Sequence, residues 1–190
     1  MKPKKGLIHV YTGEGKGKTT VSLGLAMRAL GHGFKVHLIQ FLKGGGHLGE
    51  VEFSKSVDNF TVEQYGRKCP YSREMKKGTI DCGNCRDCFL TRKQEGRQAK
   101  KGVEAAKKAV SSGIYELVIL DEANVAVSSG LISLKEMLEV LELKSEDTEL
   151  VLTGRNAPKK LLEKADYATN LSEIKHPFTS GYRVRRGIDY

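Results

Sequence analysis

The residues whose spacing could do chemistry most directly are Gly13-Glu14-Gly15-Lys16-Gly17-Lys18-Thr19-Thr20. Closely spaced glycines let a backbone turn its N–H groups inward around a phosphate. A lysine adds a cation on a long stem, and the hydroxyl after it suits a hard divalent ion. The apolar run Leu7 to Tyr11 before the loop reads as a buried strand, and Val21 to Leu30 after it reads as a helix packed on a sheet. Strand, glycine-rich loop and helix with Gly-Lys-Thr at the join is the P-loop arrangement. It predicts a bound nucleotide, with Lys18 at the terminal phosphates and Thr19 on Mg²⁺. The usual pattern carries glycine where Thr12 stands, so one position is altered, and Lys16 makes the loop more cationic than most.

A P-loop needs an acid at the end of a strand beside the P-loop strand, to hold Mg²⁺ directly or through water. The run Tyr115-Glu116-Leu117-Val118-Ile119-Leu120 ends in Asp121-Glu122, where that acid is expected. One carboxylate can serve the metal while the other acts on a water or a second substrate. The plainer alternative is that one of them caps the following helix. Lys18, Asp121 and Glu122 are the candidate catalytic set, and Thr19, Asp121 and Glu122 the candidate Mg²⁺ set. The five histidines are scattered, and no Ser/His/Asp arrangement can be drawn.

The chain's four cysteines, Cys69, Cys82, Cys85 and Cys88, fall within twenty residues, three of them spaced Cys-x₂-Cys-x₂-Cys. In a cytosolic protein such a cluster favours a metal over disulfides. Four thiolates satisfy a tetrahedral Zn²⁺ site and equally an iron–sulfur cluster, and the spacing leaves both open, beside four free thiols.

These residues need a scaffold, and 190 residues suit a single domain with a full sheet core. No stretch approaches a membrane span and no signal-peptide core follows Met1, which places the protein in the cytoplasm. Lys35 to Phe41, Phe60 to Tyr65 and Glu149 to Thr153 read as further strands. Lys43 to Glu50 reads as a flexible loop at a strand's carboxyl end. Arg92 to Val110, Leu134 to Leu143 and Pro158 to Ala165 read as helices. Gly66 to about Thr91 is irregular, and the tail from Tyr167 mixes strand-like and loop-like pieces. Strands alternating with helices predict an α/β fold, a mostly parallel sheet with helices on both faces in a P-loop NTPase (RecA-like) architecture. The expected organisation is one domain over 1–190 with a basic, cysteine-rich insert at about 66–91. Of the net charge of +9, +8 lies between Gly66 and Lys108. A solvated basic face is the usual meaning of such a run, ahead of a nucleic-acid surface.

The stretch Gly6 to Thr20 resembles the opening of the P-loop type ATP:corrinoid adenosyltransferases, a family that also carries threonine where Thr12 stands. Gln40-Phe41-Leu42-Lys43, the Leu-Asp-Glu end at Leu120 to Glu122, Thr153-Gly154-Arg155, Lys175-His176-Pro177-Phe178 and Gly187-Ile188-Asp189-Tyr190 are similar to further family stretches. The resemblance covers most of the chain except about 53–97. It implies that a cobalt(I) corrinoid attacks the ribose C5′ of ATP and releases triphosphate, the loop Gly13 to Thr20 cradling that leaving group. It also implies a homodimer, an electron donor for cobalt reduction, and an apolar or aromatic platform that removes the corrinoid's lower axial ligand. The aromatic loop that meets the corrin would fall after Tyr65. This chain has no tryptophan, starts its first strand almost at once, and carries the cysteine insert there. Two other readings compete. A type II thymidine-kinase-like enzyme shares the P-loop, Asp121-Glu122-Ala123 and a four-cysteine zinc site, and an ATP-regulated nucleic-acid-binding module would use the basic segment as its surface.

Overall fold

The computed structural model describes residues 5–82, 91–177 and 181–190. Six strands, β1 (Ile8–Thr12), β2 (Val36–Phe41), β3 (Phe60–Tyr65), β4 (Leu117–Asp121), β5 (Glu149–Thr153) and β6 (Tyr167–Asn170), form one sheet in the order β3-β2-β4-β5-β1-β6. Every neighbouring pair runs parallel. All residues of β2 and β4 are buried, as continuous apolar strands covered on both faces must be.

Alternation within each strand divides the core in two. Ile39, Phe41, Val118, Leu120, Leu150 and Leu152 face one side, and Val36, Leu38, Leu117, Ile119 and Val151 face the other. The first side is covered by α4 (Arg92–Ser111), which presents Ala99, Val103, Ala106 and Val110 at helical spacing. It is joined there by α5 (Ala123–Ser128), α6 (Leu134–Glu142) and α7 (Lys159–Lys164). The second side is covered by α1 (Lys18–Gly31) through Ala26, Leu23 and Leu30. Reciprocal capping boxes, Thr91 with Gln94 and Ser133 with Glu136, start α4 and α6.

Three features depart from the sequence reading. The strand ending in Asp121 is not beside the P-loop strand, because β5 lies between β1 and β4. Helix α1 closes that gap by crossing over β5 to β4. The stretch after Gly66 is not irregular throughout: α3 (Ser72–Lys77) forms in it and ends on the left-handed Gly78. Residues 83–90, with Cys85 and Cys88, lie outside the described residues. The flexible loop expected to run to Glu50 gives way at Gly49 to a short helix, α2 (Gly49–Phe53). No described helix is long and apolar enough to cross a membrane.

Candidate active site

The segments that follow the carboxyl ends of β1, β2 and β3, with the C-terminal residues Gly187 to Tyr190, line one cleft of about 790 Å³ on the side where open parallel sheets place ligands. Gly13 to Gly17 form the turn from β1 into α1, and Gly17, the residue before the helix, gives it no side-chain cap. The first-turn N–H groups of α1 therefore point into the loop, with the helix dipole behind them. The loop is held from behind by the segment after β6: Gly15 N–H donates to the Leu171 carbonyl (2.7 Å), and Leu171 N–H donates to the Thr12 carbonyl (2.8 Å). A side chain at Gly13 would meet the Leu171 carbonyl oxygen at 2.4 Å, and its φ of 101° suits only glycine. Thr12 has a task that glycine could not perform, since its Oγ1 accepts the Ala157 N–H at 3.1 Å and fixes the turn after β5.

Lys18 Nζ lies inside the curve of the loop and donates to the carbonyls of Gly13 (2.7 Å) and Gly15 (2.6 Å). Burial, followed by the nearby Arg155 cation, lowers its pKa below the ordinary lysine value. Lys16 pairs with Asp189 at 3.0 Å, and Arg155 with Glu14 at 3.3 Å. The Asp189 carboxyl, bonded first by Lys16 and then by Arg185, is pulled down to about 2.

Asp121 is fully buried and both its oxygens are saturated. Oδ1 accepts from Thr19 Oγ1 (2.8 Å) and Thr153 Oγ1 (2.7 Å), and Oδ2 from Lys43 Nζ (2.7 Å) and Gln40 Nε2 (3.1 Å). Burial alone would raise its pKa; the charge and hydrogen bond of Lys43, with the two threonines, outweigh it and hold the carboxyl below its usual value. For Lys43 burial pulls the pKa down, and the Asp121 charge more than offsets it, so the ammonium stays charged. Glu122 follows with φ 61°, its N–H bonded to Thr153 Oγ1 at 3.0 Å. Burial first and the Asp121 charge second raise its carboxyl above the ordinary value. It stands at the N-terminus of α5 but makes no side-chain cap, which removes the plain capping role considered for it.

The far wall of the cleft is less polar, and Leu42, His47, Cys69, Met75, Cys82 and Tyr190 line it. The loops after β2 and β3 run in contact, with Cys69 N–H on the Gly44 carbonyl at 3.1 Å. A Cβ at Gly44 would sit 2.0 Å from the Arg67 carbonyl oxygen, which explains the glycine there. Tyr190 OH accepts the Cys82 N–H at 3.3 Å, and the His47 ring meets the Tyr190 ring edge-on. Both His47 ring nitrogens are buried with no hydrogen-bond partner among the described residues, and burial, with Lys76 second, lowers its pKa.

The structure thus brings the end of the Gly13 to Thr20 loop onto Asp121 through Thr19, with Glu122 next in the chain. Of the four cysteines it brings Cys69 and Cys82 to one wall, while Cys85 and Cys88 fall outside the described residues. Among the described residues no three metal-ligating side chains converge, so neither zinc nor an iron–sulfur cluster is shown. Sequence reasoning missed Thr153 and Gln40 as partners of Asp121 and gave Lys43 no role, although the Thr-Gly-Arg and Gln-Phe-Leu-Lys stretches that hold them were marked.

Residues 4–190 match the family described as ATP:corrinoid adenosyltransferase BtuR/CobO/CobP. The chain belongs to this family. A corrinoid adenosyltransferase of Sinorhizobium sp is 34% identical over 188 residues, covering 98% of this chain and 81% of that protein. Those of Escherichia coli K12 and Salmonella typhimurium LT2 are each 31% identical over 195 residues, covering 98% of this chain and 87% of theirs. Domain III of the Thermotoga maritima replication initiation protein DnaA overlays with a TM-score of 0.41 at 12% identity, over 88% of this chain and 55% of that one, too loose a likeness to argue from. The family match runs through the cysteine segment as well as the P-loop, and the kinase and nucleic-acid readings find no support.

Proposed function

We propose that this chain transfers the 5′-deoxyadenosyl group of ATP to the cobalt(I) of a corrinoid. The observation that carries the reading is a single cleft with a P-loop on one side and a largely apolar wall on the other, in a chain matched to the family along almost its whole length. Cobalt(I) supplies both electrons of the new cobalt–carbon bond and becomes formally cobalt(III). The C5′–oxygen bond breaks, and triphosphate leaves with that bonding pair. The protein supplies no nucleophile, so its work is positioning and charge neutralisation.

The backbone of Gly13 to Thr20 and the N-terminus of α1 hold the triphosphate. Lys18 and Lys16 offset its charge, Lys16 leaving Asp189 to do so. Thr19, with Asp121 or Glu122, is a set of hard oxygen donors that fits Mg²⁺, and the 2.8 Å hydrogen bond from Thr19 to Asp121 supports this by keeping hydroxyl and carboxylate together. When bound there, Mg²⁺ supplies charge neutralisation on the leaving group. The apolar wall bearing Leu42, Met75 and Tyr190 receives the corrinoid.

Cys69, Cys82, Cys85 and Cys88 hold one metal centre, zinc or iron–sulfur; their spacing and the presence of Cys69 and Cys82 on one cleft support it. The enzyme forms one domain, works in the cytoplasm as a homodimer, and relies on a separate electron donor to reduce the corrinoid cobalt(II) to cobalt(I). Elemental analysis of anaerobically purified protein tests the centre: zinc, or iron with sulfide, supports it, and neither metal rejects it. The reaction is tested with protein, MgATP and chemically reduced cob(I)alamin. Light-sensitive adenosylcobalamin with triphosphate is expected; ADP, or no corrinoid product under full reduction, overturns the assignment.

A further inference from the structure

Asp121 has no oxygen free for a metal, because two hydroxyls hold one oxygen and Lys43 with Gln40 hold the other. Three of these donors are neutral and can rotate or remain as spectators. Lys43 cannot, because its ammonium lies 2.7 Å from Oδ2 and would confront any divalent cation placed on that carboxylate. It also has somewhere to go. Its side chain is 28% exposed and lines the same cleft as Lys16, Gly17, Thr19 and Thr20. Its other acidic neighbours, Glu122 and Glu50, keep the region electronegative once a metal has taken Asp121.

We infer that Lys43 is a leaving-group cation parked on the metal-binding carboxylate: Mg²⁺ arriving at Asp121 and Thr19 displaces its ammonium, which turns into the cleft and pairs with the triphosphate. Metal binding and leaving-group stabilisation are then coupled. Without the metal, Lys43 neutralises the buried carboxylate; with it, the released charge serves the triphosphate that departs. No bond is made or broken by Lys43, which acts through position and charge alone. The inference rests on the nucleotide and metal assignments proposed above, and its test uses neither corrinoid nor turnover, so the two can fail separately.

The probes are Mn²⁺, followed by electron paramagnetic resonance, and inorganic tripolyphosphate. Lys43→Met, which removes the competitor, should bind Mn²⁺ about tenfold more tightly than the native protein in the absence of nucleotide, a factor within the usual range of site coupling. With Mn²⁺ saturating, its affinity for tripolyphosphate should fall by about tenfold, whereas Lys43→Arg, which keeps the cation, should stay within about threefold of native in both. In the native protein, acetylation of Lys43 read by peptide mass spectrometry should rise when Mn²⁺ binds and fall again when tripolyphosphate follows. That measurement needs no variant and holds even if Lys43→Met does not fold. Unchanged Mn²⁺ affinity in folded Lys43→Met, or native Lys43 reactivity indifferent to Mn²⁺, overturns the inference.

Discussion

Replacing Asp121 by Asn isolates what the buried carboxylate contributes to the fold. If the Asn carbonyl keeps the Thr19 and Thr153 bonds, its NH₂ faces Lys43 and Gln40, which are both donors. The Lys43 ammonium loses its charged hydrogen bond, and Gln40 Nε2 loses one of its two acceptors, keeping Glu50 Oε1 at 2.9 Å. Breaking a buried pair from one side costs about 3–5 kcal/mol, and the partial exposure of Lys43 puts this case near the lower end, at about 3 kcal/mol. For a chain of this size that is a fall in Tm of roughly 6–12 °C, measured by calorimetry without metal or nucleotide. The cause is checked by the double variant Asp121→Asn with Lys43→Met, which removes the stranded ammonium. It should recover about 1–3 kcal/mol relative to the sum of the single changes. A single variant that melts within about 2 °C of native, or a strictly additive double variant, would refute the reasoning, since roughly 1 kcal/mol or less would then rest on the pair.

Three further outcomes follow from the same geometry. Gly13→Ala drives a Cβ into the Leu171 carbonyl and forces φ 101° on an L residue, so binding of a non-hydrolysable ATP analogue should weaken more than tenfold, at least about 1.4 kcal/mol; near-native affinity would show that the loop is not held from behind. Glu149 bonds His9 and the Leu7 N–H, and although burial raises its pKa, these bonds bring it below the ordinary 4.5. Because the folded value is depressed, its stabilisation is present above about 4.5 and lost as pH falls through the folded pKa. Native protein should therefore lose stability in acid more steeply than Glu149→Gln, and parallel acid melts would contradict this. At Glu122, where φ is 61°, Gly should be more stable than Ala by about 1 kcal/mol, the reverse of the order at ordinary helical positions, and thermal melts of the two variants decide it.

What could be read in the sequence is what local chemistry encodes. The P-loop declares itself because the loop's own backbone does the binding, so its glycines and lysines must lie together in the chain. The apolar runs of β2, β4 and β5 betray strands buried on both faces. The partners of Asp121 could not be read in this way, because Thr153, Gln40, Lys43 and Thr19 come from four separate places and meet only through the order β3-β2-β4-β5-β1-β6. The tail resisted for a different reason. All four residues of β6 are exposed, so no alternation marks it, and Asp189 is fixed by an ion pair to Lys16 far back in the chain.

Backbone strain explains how Lys43 reaches Asp121 at all. In the β2–β4 register Gln40 lies opposite Asp121, and its side chain bonds Oδ2 directly. Had β2 continued extended, Lys43 would stand about 10 Å beyond Gln40 and on the other face of the sheet, since strand residues rise about 3.3 Å each and alternate. Leu42 prevents this by adopting φ 60°, a conformation that costs a leucine about 1–3 kcal/mol. The turn folds Lys43 back over the end of the sheet and aims its ammonium at the neighbouring strand's carboxylate. Glu122, with φ 61° directly after β4, turns the chain there in the same left-handed way, and Asn156, with φ 55°, does so three residues after β5. All three left-handed non-glycine residues among the described ones thus follow the carboxyl ends of strands, at the same end of the sheet as the cleft. Such strain persists only where surrounding structure imposes it, and here the two buried faces of the sheet do so. The leucine's strain places a cation on the acid that a metal must claim.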